Sequence, residues 1–257
     1  MGDLEQEMEY PMQKIIVGLM LCLITSAANA GKTVTYAVNG TDYEGYHAKA
    51  TGTSKGLVLI IHDWDGLTDY EIKRAEMLAG MGYDAFAVDL YGKGNRPVET
   101  KAKKAETGKL YKDREKMRSL ILAGLAEARK LGGGSAVVMG YCFGGAATLE
   151  LARSGKADNV KGYVTFHGGL KTPAGQSYPK STAPILIAHG GADRAIKMAD
   201  VAGIADELEA VGLTYDIEVY SGAPHAFTVI GSKRYRAHAD KKSWSAFADF
   251  LKRNLGG

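Results

Sequence analysis

The spacing of hydrophobic positions along this chain changes several times, and each change marks an element. "TVTYAV" and "YEGYHAKA" alternate apolar and polar residues around the turn "NGTD", which predicts an opening antiparallel hairpin. "GLVLIIH", Gly56 to His62, is apolar without alternation, as expected of a strand covered on both faces. "YDAFAVDL", "SAVVMG", "VKGYVTFH", "APILIAHG" and "TYDIEVY" predict further strands. Between them the apolar residues fall at helical intervals: Met117, Leu120, Ile121, Leu125 and Ala128 in one segment, Val201, Ile204, Leu208 and Val211 in another. "SWSAFADFLKRNL" predicts a terminal amphipathic helix. Strands alternating with helices predict an α/β domain with a mostly parallel central sheet, helices on both faces and an N-terminal antiparallel hairpin. No repeat or Pro/Ser-rich linker divides the chain, so a single domain over residues 31–257 is expected.

The first 30 residues read differently. "MQKIIVGLMLCLITSAANA" sets Lys14 before an apolar run from Ile15 to Ile24 and then small residues, the order of a secretory signal peptide. Ala28 and Ala30 give an A-x-A pattern, so cleavage after Ala30 and a periplasmic or secreted product are expected. The run is short for a membrane span, although an uncleaved anchor is the alternative reading. The acidic leader "MGDLEQEMEYP" is unusual before such a signal, which makes Met8 or Met12 an alternative start. Leu21 ahead of Cys22 is too large for a lipoprotein signal. Cleavage would remove Cys22 and leave Cys142 alone, which excludes a disulfide or a dithiol redox pair within the mature chain.

Of the 257 residues 46% are hydrophobic, enough for one sizeable core, and 32 basic against 29 acidic residues leave a formal charge of +3. That balance argues against a nucleic-acid surface, and after signal cleavage nothing points to a membrane. A small-molecule partner is expected instead.

In a parallel sheet, sites gather at the carboxyl ends of the strands. Those ends carry His62 and Asp63, Asp89, Cys142, His167, His189 with Asp193, and His225. "GYCFGG" fits a sharp strand-to-helix turn, G-x-nucleophile-x-G, in which Gly140 and Gly144 avoid collision around a strained Cys142. The turn sets Cys142 at a helix N-terminus, where the macrodipole favours a thiolate. Nucleophile, acid and histidine follow one another in this fold, and "HGGADRAI" and "SGAPHAF" come in that order. Asp193 is therefore expected to orient an imidazole and His225 to take the proton of Cys142. Singly, each has an ordinary explanation: a helix N-cap, a solvated loop histidine, a small buried filler. Their order and their strand ends together single them out. The six histidines include no pair at H-x-x-x-H spacing, and "LGGGS" precedes a strand where a phosphate loop should follow one, so neither metal nor cofactor is expected. His47, His167, His189 and His238 read as structural or solvated. His62 and His189 could line the site because they stand at strand ends.

Through "IIHDWDGLTDY", "GYDAFAVDLYGKG", "VMGYCFGGAATLELA", "ILIAHGGADRAI" and "YSGAPHAFT" the sequence resembles the dienelactone hydrolase family of α/β-hydrolases, and a cysteine at the elbow is itself a mark of that family. The resemblance implies an α/β-hydrolase fold and a Cys142, His225 and Asp193 triad acting on ester or lactone bonds. It implies an oxyanion hole of the backbone N–H groups of Phe143 and Trp64. It also implies a thiol-modulating acid at Asp63, where the family carries a glutamate one methylene longer. Family members that open dienelactone hold its carboxylate with arginines, and the matching positions here are Lys93 and Val229. Lys93 or nearby Arg96 could hold an anion, Val229 cannot, and a neutral ester or lactone is the expected substrate.

Three readings follow. The first is an exported cysteine-dependent esterase or lactonase that forms an acyl-thioester at Cys142. The second keeps the nucleophile but turns it on activated phosphotriesters as a promiscuous activity. The third is a binding or thiol-sensing protein on a hydrolase scaffold, with an oxidisable Cys142 and no turnover.

Overall fold

A computed structural model describes residues 31–256 of the chain. The signal peptide expected over residues 1–30 lies outside the described residues.

The hairpin forms as the alternation predicts: β1 (Lys32–Val38) pairs antiparallel with β2 (Thr41–Ala48), with Val38 opposite Thr41. Asn39 and Gly40 both turn with positive φ, 50° and 77°, which suits the tight two-residue turn such strands need. The remaining strands are β3 (Leu57–Ile61), β4 (Asp84–Val88), β5 (Ala136–Tyr141), β6 (Val160–Phe166), β7 (Ile185–Gly190) and β8 (Tyr215–Tyr220). They assemble into an eight-stranded sheet in the order β1-β2-β4-β3-β5-β6-β7-β8, with β2 antiparallel to β4 and every pairing from β4 to β8 parallel.

Alternate residues of the central strands feed two separate cores. Leu57, Leu59 and Ile61 of β3 and Val138 of β5 face one side, and Val58, Ile60, Val137 and Met139 face the other. The first side is covered by α2 (Thr100–Lys112), α3 (Arg114–Leu131), α4 (Phe143–Ser154) and α5 (Met198–Val211). The helical stripe Met117, Leu120, Ile121, Leu125 and Ala128 is the buried face of α3, and Val201, Ile204 and Leu208 that of α5. The second side is covered by α1 (Asp69–Gly80) and α6 (Ala237–Leu255), whose Phe247, Phe250 and Leu251 are buried. Because both faces are closed, the open edge of chemistry is the row of loops at the carboxyl ends of the parallel strands.

The β5–α4 turn is as tight as the glycine spacing requires. Cys142 has φ 50° and ψ −107°, and its carbonyl accepts the Ala146 N–H at 3.1 Å to begin α4. A Cβ on Gly144 would stand under 3.0 Å from the carbonyl oxygens of Ile61 and His62, which are strand backbone and cannot give way. Gly144→Ala is therefore expected to destabilise the fold by about 1–3 kcal/mol and to lower Tm by roughly 4–10 °C in thermal unfolding. An unchanged Tm would mean that α4 does not pack this closely on β3.

Candidate active site

At the carboxyl edge, three loops bring the expected triad together. The turn after β5 presents Cys142, the loop after β7 presents Asp193, and the loop after β8 presents His225. His225 Nε2 lies 3.0 Å from Cys142 Sγ, and His225 Nδ1 lies 2.7 Å from Asp193 Oδ2. A carboxylate oxygen only accepts, so Nδ1 carries the hydrogen and Nε2 is free to accept from the thiol. Asp193 is fixed in turn, because its Oδ1 accepts the N–H groups of Ala195 at 2.8 Å and Ile196 at 3.0 Å. Burial pushes the Asp193 carboxyl up, but the hydrogen bond from His225 and the two N–H groups outweigh it and hold it below the usual carboxylate range.

The surroundings of Cys142 favour the neutral thiol over the thiolate. Burial comes first in pushing Cys142 well above its ordinary pKa, and the negative charge of the nearby Asp63 carboxylate adds to it. The Phe143 N–H pulls the other way and loses. The helix N-terminus alone was expected to favour a thiolate; burial beside an acid overrides it.

Asp63 stands at the end of β3 against this thiol. Burial, countered in part by the Trp64 N–H, raises its carboxyl to about 6. Its Oδ1 accepts the Trp64 N–H at 2.5 Å. One of the two backbone donors expected at the oxyanion hole is thus occupied by Asp63 itself, while Phe143 N–H faces the sulfur. The loop carrying Asp63 is clamped from below by Glu71 on α1. That buried carboxylate accepts the Asp63 N–H at 3.2 Å, the Thr68 N–H at 2.9 Å and the Thr68 hydroxyl at 2.8 Å, so it ties both ends of "DWDGLT" together.

A cleft of about 420 Å³ opens over Cys142. Asp63, Trp64 and Asp65 line it together with Ala195, His225, Ala226, Val229, Ser232, Lys233 and Arg234. Val229 is where the sequence puts it, an apolar side chain on the cleft. Lys93 and Arg96 are not on it. Lys93 Nζ reaches Thr35 on β1 at 3.3 Å, and Arg96 turns inward to Asp89 at 3.5 Å and to the Asn95 carbonyl at 2.9 Å. Neither of the two residues offered as alternative anion holders lines this cleft, because both side chains are engaged by β1, Asp89 and the loop after β4. The cations that do line the cleft, Lys233 and Arg234, come from the segment between His225 and α6, and neither makes an ion pair among the described residues. The basic run "SKRYR" soon after the histidine was the available signal.

The other buried histidines, His47, His62, His167 and His189, do not line the cleft. His62 Nδ1 is 2.6 Å from the Asp63 carbonyl while its Nε2 accepts the Leu90 N–H at 3.1 Å, so its ring pins the ends of β3 and β4 together and does not line the cleft. His189 is buried on β7, and His47 lies 3.7 Å from Asp84. Among the described residues no three His, Cys, Asp or Glu side chains are grouped to hold a metal ion, and no helix is long and apolar enough to cross a membrane.

The chain is similar in sequence and fold to known proteins. A profile of the dienelactone hydrolase family matches residues 43–255. The chain belongs to the dienelactone hydrolase family. A Methylorubrum extorquens protein of the carboxymethylenebutenolidase type is 28% identical over 221 residues, covering 79% of this chain and 74% of its own. Carboxymethylenebutenolidase 1 of Cupriavidus pinatubonensis is 26% identical over 163 residues, 60% of this chain and 68% of that one. Among solved structures, a dienelactone hydrolase-like promiscuous phosphotriesterase from metagenomic libraries superposes with a TM-score of 0.77 at 26% identity, covering 87% of this chain and 98% of its own. The fold is thus that of the α/β-hydrolases, with the antiparallel hairpin added at one edge, and the chain is a hydrolase of dienelactone hydrolase type.

Proposed function

We propose that this hydrolase cleaves carboxylic esters or lactones through an acyl-thioester on Cys142. The observation that carries the reading is the continuous Cys142–His225–Asp193 hydrogen-bond chain, 3.0 and 2.7 Å long, at the floor of an open cleft. His225 Nε2 takes the thiol proton as Sγ bonds to the carbonyl carbon, and the electron pair of the C=O moves to oxygen. The N–H groups of Phe143 and Trp64 hold that oxyanion, each worth about 3 kcal/mol of barrier. Collapse expels the alkoxide, which takes the proton from His225. Water, deprotonated by His225, then attacks the thioester and returns the thiol.

Two features of this chain shape the cycle. Asp63 lies on the Trp64 donor at rest, so a substrate carbonyl displaces it before reaction. Its negative charge also opposes thiolate formation while the cleft is empty. Asp63→Asn is therefore expected to raise the rate of Cys142 alkylation by iodoacetamide at pH 7 several-fold, about threefold or more, since one neighbouring charge commonly moves a pKa by a unit. An unchanged or slower rate would contradict the modulating role.

Lys233 and Arg234 change the substrate expected from the sequence. With Lys233 and Arg234 lining the cleft and making no ion pair among the described residues, an ester or lactone carrying a carboxylate remote from the scissile bond suits the cleft better than a neutral one. The test is a pair of aryl esters with four-carbon acyl groups, the neutral butyrate and the anionic hemisuccinate. Replacing both Lys233 and Arg234 by glutamine should raise KM for the hemisuccinate roughly three- to tenfold and leave the neutral ester unchanged, as fits exposed charge pairs. Equal effects on both esters would remove the anionic preference.

Activated phosphotriesters are the secondary reading. The likeness to a solved promiscuous phosphotriesterase of this family supports it, and a phosphorylated Cys142 in the intact mass after exposure to such a compound would establish it. Residues 12–30 support export, which would place the enzyme in the periplasm or outside the cell.

A further inference from the structure

The backbone just after His225 is strained and then pinned from outside its own loop. Ala226 has φ 61°, a left-handed conformation that a non-glycine residue keeps only where its surroundings fix it. Two residues on, Thr228 is fully buried, and the partners of its oxygens lie far away in sequence. Its carbonyl accepts from Arg74 Nη2 at 2.8 Å, and its Oγ1 accepts the Tyr70 hydroxyl hydrogen at 2.7 Å. Arg74 and Tyr70 both belong to α1, and Arg74 is anchored in turn by Asp240 of α6, with its guanidinium 4.9 Å above the Trp244 ring.

The same hydroxyl reaches a second ring. Thr228 Oγ1 is 2.8 Å from His167 Nε2. Since Tyr70 donates into Oγ1, and Arg74 Nε donates into the Tyr70 oxygen at 3.4 Å, the Thr228 hydrogen is the one left to donate to His167. Burial holds His167 well below the ordinary histidine range, so its ring is neutral and able to accept. That ring stands edge-on to His225 with centroids 5.4 Å apart, and Phe227 packs edge-on to it at 5.4 Å. His167 itself has φ 43°. Thr228 thus fixes His225 twice, through the chain by its carbonyl and through the His167 ring by its hydroxyl. None of Thr228, Tyr70, Arg74 and His167 lines the cleft.

We propose that Thr228 is a positioning residue for His225, held by Tyr70 and Arg74 of α1, and that it keeps the imidazole aimed at Cys142 Sγ. The inference rests on the reading of Cys142 and His225 as nucleophile and base. A small misplacement of a catalytic group costs rate without costing binding when the displaced support touches no substrate.

The test is Thr228→Val, which keeps the shape and removes the hydroxyl, beside Thr228→Ser, which keeps the hydroxyl, and Tyr70→Phe. Ester hydrolysis by Thr228→Val should show kcat lower by about tenfold with KM within about twofold, and Cys142 alkylation by iodoacetamide without substrate should slow by a similar factor. Thr228→Ser should stay within about threefold of the parent in both. A folded Thr228→Val with parental kcat and alkylation rate overturns the inference, as does Thr228→Ser equally impaired, or a change confined to KM. If Thr228→Val does not fold, Tyr70→Phe decides: lower kcat at constant KM supports the role and an unchanged kcat overturns it. A parent that hydrolyses no ester while its alkylation still slows in Thr228→Val would remove the esterase reading and leave this inference standing.

Discussion

Cys142→Ala is expected to lower kcat/KM for a short p-nitrophenyl ester by on the order of 10⁴-fold or more, because removing the nucleophile of a triad removes the covalent route altogether. Alanine fits the turn sterically as cysteine does, since the strain at φ 50° belongs to the backbone and both residues carry a Cβ. The sulfur also has neighbours to lose, His225 Nε2 and the Asp63 carboxylate, but each keeps a second partner, Asp193 and the Trp64 N–H. Tm should therefore fall little, and a loss of rate with intact folding is the signature that separates a nucleophile from a packing residue. Retention of more than about a tenth of the rate would place the chemistry elsewhere.

Asp193→Asn should be nearly as severe, lowering kcat by roughly 10²- to 10⁴-fold with KM little changed. The amide can keep Oδ1 on the N–H groups of Ala195 and Ile196, so the loop after β7 holds its shape. What changes is the partner of His225 Nδ1. An amide NH₂ donates where the carboxylate accepted, the imidazole hydrogen moves to Nε2, and the ring can no longer take the thiol proton. The pH–rate profile and thermal unfolding, measured together, check this. A large fall in Tm with proportionate loss of activity would mean that Asp193 is chiefly a loop cap.

The sheet was readable in the sequence because strands buried on both faces are continuous apolar runs, "LVLII" and "AVVMG" among them, and because a nucleophile elbow constrains two glycines at fixed spacing. Helix α1 was not readable. Its inner face carries Glu71 and Arg74, both fully buried, one clamping the Asp63 loop and the other bracing Thr228. A helix that spends its core positions on buried charges shows no apolar stripe. Helix α2 was missed for the opposite reason, since only Leu110 is buried. At the site, Cys142 follows β5 directly and Asp193 and His225 lie in the short loops just after β7 and β8, so the strand ends located them. Lys233 and Arg234 line the cleft from a segment outside any helix or strand, which the sequence marks only by the basic run "SKRYR".

The most direct test of the account is intact-mass and peptide analysis of the protein mixed with a p-nitrophenyl ester and quenched in acid within the first turnover. An increase by the mass of the acyl group, carried on the peptide that contains Cys142 and absent from Cys142→Ala, is the expected result. Turnover with the acyl group on another residue, or undiminished turnover by Cys142→Ala, would contradict a thioester mechanism, and an unmodified protein that hydrolyses no ester or lactone would contradict the hydrolase reading of this site.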